Sequence, residues 1–154
     1  MSKVKVEPEK IHLLGIRVLK SVFEADVSLI DSPQPIEKFN AGYRSESGFN
    51  LKENYQLFRL FIKIQGLDDD KSVKIRAEYH IEFHFSIDNL SDFVTHEKNG
   101  DGFSVSSMLG ATIAGISYST ARGMILDRTQ TTDFNGVLLP VINPQKLLEE
   151  DTFS

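Results

Sequence analysis

The sequence has no cysteine among its 154 residues. A disulfide framework, a thiolate nucleophile, a cysteine-ligated zinc and thiol redox chemistry are therefore all excluded. The absence is compatible with a reducing compartment, and we expect a cytoplasmic protein.

An excess of basic residues is also lacking. The chain has 17 Lys and Arg against 22 Asp and Glu, which gives a formal net charge of −5. A surface that follows nucleic acid phosphates needs clustered positive charge. We therefore expect no nucleic acid partner.

Long hydrophobic runs are missing as well. No apolar stretch follows the N-terminal lysines, so we expect no secretory signal. The uncharged stretch at 103–121 contains eight Ser, Thr or Tyr residues, whereas a membrane span needs ~20 predominantly apolar ones. We expect no membrane insertion, and an apolar content of 40 % in a chain of this length is typical of one soluble globular domain over 1–154.

Alternation of apolar and polar side chains is the clearest pattern present. Residues 73–88 alternate strictly, which predicts a long strand with one polar and one apolar face. The stretch 55–65 is rich in aromatic and β-branched residues and predicts a second strand, except that Phe61 falls on the face opposite Phe58. The short link at 66–71 joins the two strands in an antiparallel hairpin, with its acidic residues in a solvated turn.

Two further strands are predicted upstream. Residues 11–30 form a long strand whose alternation breaks near Lys20 and Ser21, which indicates a bulge or bend. A weaker candidate is Phe39–Tyr43, where alternate apolar side chains share a face. The first 88 residues thus predict a four-stranded antiparallel sheet with one face that needs cover.

Helical spacing begins after residue 105. Apolar spacings of three and four predict two consecutive helical pieces, 106–114 and 117–128, separated at Gly115, with Ser117 as the N-cap of the second. The stretch 134–144 is apolar but holds two prolines, so it should be extended and lie over an apolar surface. A short terminal helix at 145–151 should follow, with Asn143 as cap and Pro144 at its first position.

Motifs for catalysis and metal binding are weak. His80, Glu82 and His84 share a strand face, but residues two apart on a strand are ~7 Å apart, too far for both imidazoles to reach one ion easily. Neither a nucleophile elbow nor a phosphate-binding glycine loop is present. We expect no catalytic residue, no metal and no cofactor.

Apolar area is what the sequence has in excess. Aromatic residues crowd the sheet half of the chain, more than a two-layer domain with about 25 helical residues readily covers. This excess predicts oligomer contacts, a ligand groove, or both.

Several short motifs resemble the SecB family of protein-export chaperones. The stretch Gly15–Ala25 is similar to the family's opening strand, which runs to a Ser-x-Phe-Glu signature. Further matches follow the family's C-terminal pattern and lie at Tyr118–Gly123, Arg128, Phe134, Leu139–Asn143 and Leu147. The resemblance extends over nearly the whole chain.

The resemblance implies a fold and an activity. The fold would be α+β, a four-stranded antiparallel sheet followed by two helices packed on one face, assembled as a homotetramer that is a dimer of dimers. The activity would be that of a holdase, which binds unfolded or nascent polypeptides for export or translocation without ATP, cofactor or catalytic step.

The resemblance also implies two binding surfaces. Clients would lie in a groove that uses residues on the second strand and is closed by Phe134 and the 137–142 segment; its residues are Phe39, Ala41, Tyr43, Phe134, Leu138 and Val141. Glu24 and Glu78 match carboxylates with which the family docks the SecA translocase motor.

Three alternatives remain open at the level of sequence. A SecB-like chaperone could serve a toxin–antitoxin system instead of export. A hot-dog-type thioesterase or dehydratase also has a curved antiparallel sheet around one long helix, but it expects that helix between its first two strands and a catalytic carboxylate or His at a dimer cleft. A structural protein could bury the apolar surface entirely between subunits.

Overall fold

Four long strands form one antiparallel sheet in the computed structural model, which describes residues 4–31, 36, 38–130 and 135–153. The strands are β1 (Ile11–Ala25), β2 (Lys38–Asn50), β3 (Tyr55–Leu67) and β4 (Val73–Ile87). Their order across the sheet is β1-β4-β3-β2, so β1 and β2 are the two edges. The predicted α+β fold with a four-stranded antiparallel sheet is confirmed.

The β3–β4 hairpin carries most of the core. Its alternate side chains on one face are buried, because the period of two places them all on the side that the helices cover. The largest of them are Phe58, Leu60, Ile62, Ile64, Tyr79, Ile81, Phe83 and Phe85. The opposite face holds the charged residues of β4, so the predicted division into a polar and an apolar face is confirmed.

The edge strands differ in length from the prediction. β1 ends at Ala25 rather than 30, and a short helix α1 (Ser28–Asp31) follows it. A register shift between Val18 and Lys20 confirms the predicted bulge, and a second shift lies between Leu13 and Gly15. β2 extends to Asn50 because it pairs with β3 along its full length, and this backbone pairing overrides the weak strand propensity of its glycines.

The helical region is one helix and not two pieces. Helix α2 (Ser107–Thr129) runs without a break through Gly115, and its N-cap is Ser106, whose side chain accepts a hydrogen bond from the backbone N–H of Met108. Ser117 is fully buried in the middle of the helix. The prediction of a second start at Ser117 is therefore wrong. Gly115 is needed for close packing, because a Cβ there would lie 3.3 Å from Cγ of Pro144.

The terminal helix follows the prediction closely. Helix α3 (Pro144–Glu149) begins after Asn143, whose side chain accepts a hydrogen bond from the backbone N–H of Gln145. α3 packs against both α2 and β2. The two longer helices thus lie on one face of the sheet, as expected.

Smaller elements connect these parts. A two-stranded antiparallel hairpin of β5 (Val94–His96) and β6 (Phe103–Val105) lies between β4 and α2. Short 3-10 helices span Pro8–Lys10, Leu51–Glu53 and Leu90–Phe93. Within the described ranges, no helix is both long enough and apolar enough to cross a membrane.

Candidate functional site

The site begins where β2 meets the middle of α2. The rings of Tyr43 and Tyr118 pack edge to face with centroids 5.7 Å apart, and their hydroxyl oxygens are 3.3 Å apart. The Tyr118 hydroxyl donates a hydrogen bond to the carbonyl oxygen of Pro140 at 2.5 Å. Burial raises the pKa of Tyr118, so this hydroxyl stays a donor at physiological pH.

The segment 135–143 runs along α2 and is held there by side chains of the helix. Nε of Arg122 donates to the carbonyl oxygen of Leu139 at 2.6 Å, in addition to the bond from Tyr118. The backbone N–H of Val137 donates to Oγ1 of Thr129, which is buried at the end of the helix. The segment therefore has a defined position although it has no regular secondary structure.

The predicted client-binding residues divide into two groups. Phe39, Ala41 and Tyr43 share the helix-side face of β2, where they are partly buried against the core. Leu138 and Val141 point outward and are 58 % and 85 % exposed. Phe134 lies outside the described residues. The structure thus brings Tyr43 next to the 137–142 segment, but whether the groove binds clients stays a prediction.

An apolar row on edge strand β1 is also open. Leu13 and Ile16 pair with Phe85 and Phe83, which places them on the helix side of the sheet, yet they are 42 % and 37 % exposed. Leu14 and Leu19 lie at the two register shifts, where the strand turns additional side chains outward, and both are exposed. Isolated exposed leucines are ordinary, but four exposed apolar side chains within residues 13–19 of an edge strand indicate a contact surface.

The predicted docking residues Glu24 and Glu78 lie on the polar face of the sheet. Both line an open cleft of about 370 Å³ together with Lys20, Lys63 and Arg76. Glu78 forms an ion pair with Lys20 and also contacts His80, and the hydrogen bond from Lys20 lowers the pKa of this carboxyl. The cleft is therefore of mixed charge, and the docking role of its carboxylates stays a prediction.

The histidines that share a face with Glu82 have different carboxylate partners. Nε2 of His84 is 2.9 Å from Oε1 of Glu82, and its Nδ1 contacts the hydroxyl of Tyr55. Nε2 of His80 is 2.9 Å from Oε2 of Glu78. His80 and His84 therefore contact two different carboxylates, Glu78 and Glu82, instead of sharing one.

Sequence reasoning missed a cluster on the polar face near the edge at β2. Arg44, Phe61, Lys63 and His80 surround the side chain of Phe153, which comes from the C-terminal segment; we call these four residues the aromatic clamp. The one feature of the sequence that pointed to this cluster was Phe61, an aromatic residue on the polar face of the sheet. Its contact with Phe153 is nonlocal and has no signature in either segment alone.

Known proteins resemble this chain in structure but not detectably in sequence. Neither a protein-family model nor a curated protein matches the sequence. Among solved structures, the chain is similar to the Mycobacterium tuberculosis SecB-like chaperone Rv1957 in complex with a ChAD peptide from the antitoxin HigA1. The TM-score is 0.58 at 10 % identity, over 87 % of this chain and 91 % of that one.

A second structural match is more distant. It is a protein of unknown function from Streptococcus agalactiae, with a TM-score of 0.43 and 11 % identity over 85 % of this chain and 97 % of that one. By the first match, the fold of the present chain is SecB-like.

Proposed function

We propose that this protein is a cytoplasmic chaperone of the holdase type, which binds unfolded polypeptides without ATP, a cofactor or a catalytic step. The observation that carries the proposal is exposed apolar surface beside an edge strand on a SecB-like fold. Leu138 and Val141 are exposed on the segment that lies next to Tyr43 of edge strand β2. Exposed apolar side chains beside an edge strand suit extended polypeptides of varied sequence.

The order of elements favours this proposal over a hot-dog-type thioesterase or dehydratase. Helix α2 follows all four strands of the sheet, whereas that fold expects its long helix between the first two strands. The carboxylate of α2 is Asp127, which is exposed near the C-terminal end of the helix, where the helix dipole disfavours it.

The apolar row on β1 supports assembly of several copies. Leu13, Leu14, Ile16 and Leu19 would lose water contact if a second copy packed there, and burial of apolar surface contributes about 25 cal/mol per Å². We propose a homotetramer in which this row is one of the interfaces.

Two partners are proposed beyond unfolded polypeptides. A SecA-type translocase motor would dock at Glu24 and Glu78. The complex of the SecB-like neighbour with an antitoxin peptide supports an antitoxin as the alternative, dedicated client.

Binding of an unfolded polypeptide tests the proposal. We expect micromolar or tighter binding of a permanently unfolded, fluorescently labelled polypeptide by anisotropy, and none of the same polypeptide when folded. Leu138→Asp and Val141→Asp should weaken binding about 10-fold or more. They should leave the melting temperature nearly unchanged, because both side chains are already exposed.

Val27→Asp is the matched control, since Val27 is equally exposed but lies after β1 and away from the site. Its affinity should equal that of wild type. Failure of the wild-type protein to bind the unfolded polypeptide would overturn the proposed function. Equal weakening by all three substitutions would instead overturn the location of the site.

A further inference from the structure

The C-terminal segment crosses the edge of the sheet at β2. The backbone N–H of Thr152 donates to the carbonyl oxygen of Tyr43 at 2.9 Å, and the N–H of Tyr43 donates to Oγ1 of Thr152 at 3.0 Å. Tyr43 lies on an edge strand, so these backbone groups face away from β3. Thr152 therefore satisfies the groups that an added strand would use.

A glycine makes this crossing possible. Gly42 precedes Tyr43 on β2, and a Cβ at this position would lie 2.0 Å from the carbonyl oxygen of Thr152. Since a backbone atom is the obstacle, any side chain at position 42 would displace the tail. Because Gly42 has no side chain, the C-terminal segment can cross β2 at this position.

Beyond the edge, Phe153 enters the aromatic clamp on the polar face. Its ring centroid is 6.0 Å from that of Phe61 and 5.9 Å from that of His80. Two cations flank the same ring, with Lys63 Nζ at 4.8 Å and Arg44 Cζ at 5.7 Å from its centroid. Such contacts favour an aromatic side chain over an aliphatic one of similar size.

The positive charges of the clamp lie against the ring of Phe153. Lys63 and Arg44 flank this ring, and Arg44 also forms an ion pair with Glu46 at 2.7 Å. The contact is nevertheless small, with one ring and two hydrogen bonds, and contacts of this size open readily.

We propose that the aromatic clamp and the adjacent edge of β2 form a peptide-binding site for an extended segment that carries an aromatic residue. Phe153 is the resident occupant, and a client segment displaces it. The displacement step rests on the proposed function, whereas the binding site does not. A client with several anchors replaces the tail because it makes more contacts than one ring and two hydrogen bonds.

Substitution of Phe153 tests the displacement. Phe153→Ala should lower the Kd for a permanently unfolded polypeptide about 3- to 10-fold, because the competing occupant is weakened. Phe103→Ala is the matched control, since Phe103 is also partly exposed and packs edge to face on Phe49 at 5.9 Å, outside the clamp. The control should bind with wild-type affinity.

A single-tryptophan variant reports the tail directly. The natural sequence has no tryptophan, so Phe153→Trp introduces the only indole. Its emission should shift to the red when a tryptophan-free unfolded polypeptide is added, as the indole moves into water. An emission that stays constant at saturating polypeptide overturns displacement.

A synthetic peptide tests the clamp without any client. A labelled peptide of residues 147–154 should bind full-length Phe153→Ala, and the same peptide with alanine at position 153 should bind at least 10-fold more weakly. Gly42→Ala in the Phe153→Ala background should abolish this binding, because the methyl group occupies the place of the Thr152 carbonyl.

The two proposals fail in different ways. If the peptide does not bind Phe153→Ala while wild type binds unfolded polypeptide, the clamp is overturned and the proposed function stands. If the peptide binds but neither protein binds unfolded polypeptide, the proposed function fails and the clamp stands as a peptide site.

Discussion

Glu82 shows how a single charge is held on the polar face of the sheet. Its side chain is almost fully buried, and Oε2 accepts hydrogen bonds from Nη2 of Arg59 at 2.7 Å and Nε at 3.1 Å. His84 and Arg17 approach Oε1 at 2.9 Å and 3.6 Å. The Arg59 hydrogen bonds are the main reason that the pKa of Glu82 lies below its usual value.

This shift predicts acid sensitivity with a definite sign. Because the folded pKa is lower than the unfolded value near 4.5, the stabilisation is complete above that pH and is lost as pH falls through the folded pKa. Glu82→Gln should cost about 2 kcal/mol at pH 7, less than a fully buried pair because Arg59 is partly exposed. Urea unfolding should show this difference shrinking as the pH falls below 4.5 towards the folded pKa of Glu82.

Glu46→Gln is the control for that measurement. Glu46 also binds Arg59, at 3.1 Å, but it is exposed, so its substitution should change stability by less than about 0.5 kcal/mol. A Glu82→Gln difference that stays constant from neutral to acid pH would contradict the role assigned to the carboxylate.

At the scale of elements, α2 shows how a local start signal can be misplaced. Serine is a favourable N-cap, and both Ser106 and Ser117 precede helical spacings in the sequence. Only Ser106 caps the helix. The buried hydroxyl of Ser117 has no hydrogen-bond partner among the residues that the structure describes. The helix is continuous at the point where composition suggested a break, and residues on both sides of Gly115, such as Ala114 and Tyr118, are buried in the same core.

The two serines should therefore respond differently to alanine. Ser106→Ala should lower the free energy of unfolding by about 1 kcal/mol through loss of the cap. Ser117→Ala should leave it unchanged or raise it, because alanine has higher helix propensity and removes an unsatisfied buried hydroxyl. Denaturant unfolding of both variants checks this, and a Ser117→Ala cost near 1 kcal/mol would restore the two-helix interpretation.

At the scale of the molecule, a single copy leaves the apolar row of β1 uncovered. We expect Leu14→Asp combined with Ile16→Asp to lower the oligomer from four chains to fewer, because each charge would be buried at the interface without a partner. Native mass spectrometry measures the state, with Val27→Asp as the exposed apolar control. A wild-type protein that is already a single chain would remove this interface from the proposal.

The candidate site was predictable in part. The resemblance drew attention to Tyr43 and to the 137–142 segment, which the structure places side by side through Tyr118 and Pro140. It did not indicate that the tail covers the edge of β2 at the same residue. Contact between Tyr43 and Thr152 joins positions far apart in the chain, and no local pattern encodes it.

The sequence by itself determined the features that depend on neighbouring residues. Strict alternation in 73–88 sets one apolar face, and Asn143 followed by Pro144 starts the terminal helix, because side-chain period and capping act within a few residues. Only the tertiary structure decided the length of β2, the continuity of α2 and the cover over Phe61. These depend on pairing and packing between distant segments, whose free energy overrides local propensity once the chain has folded.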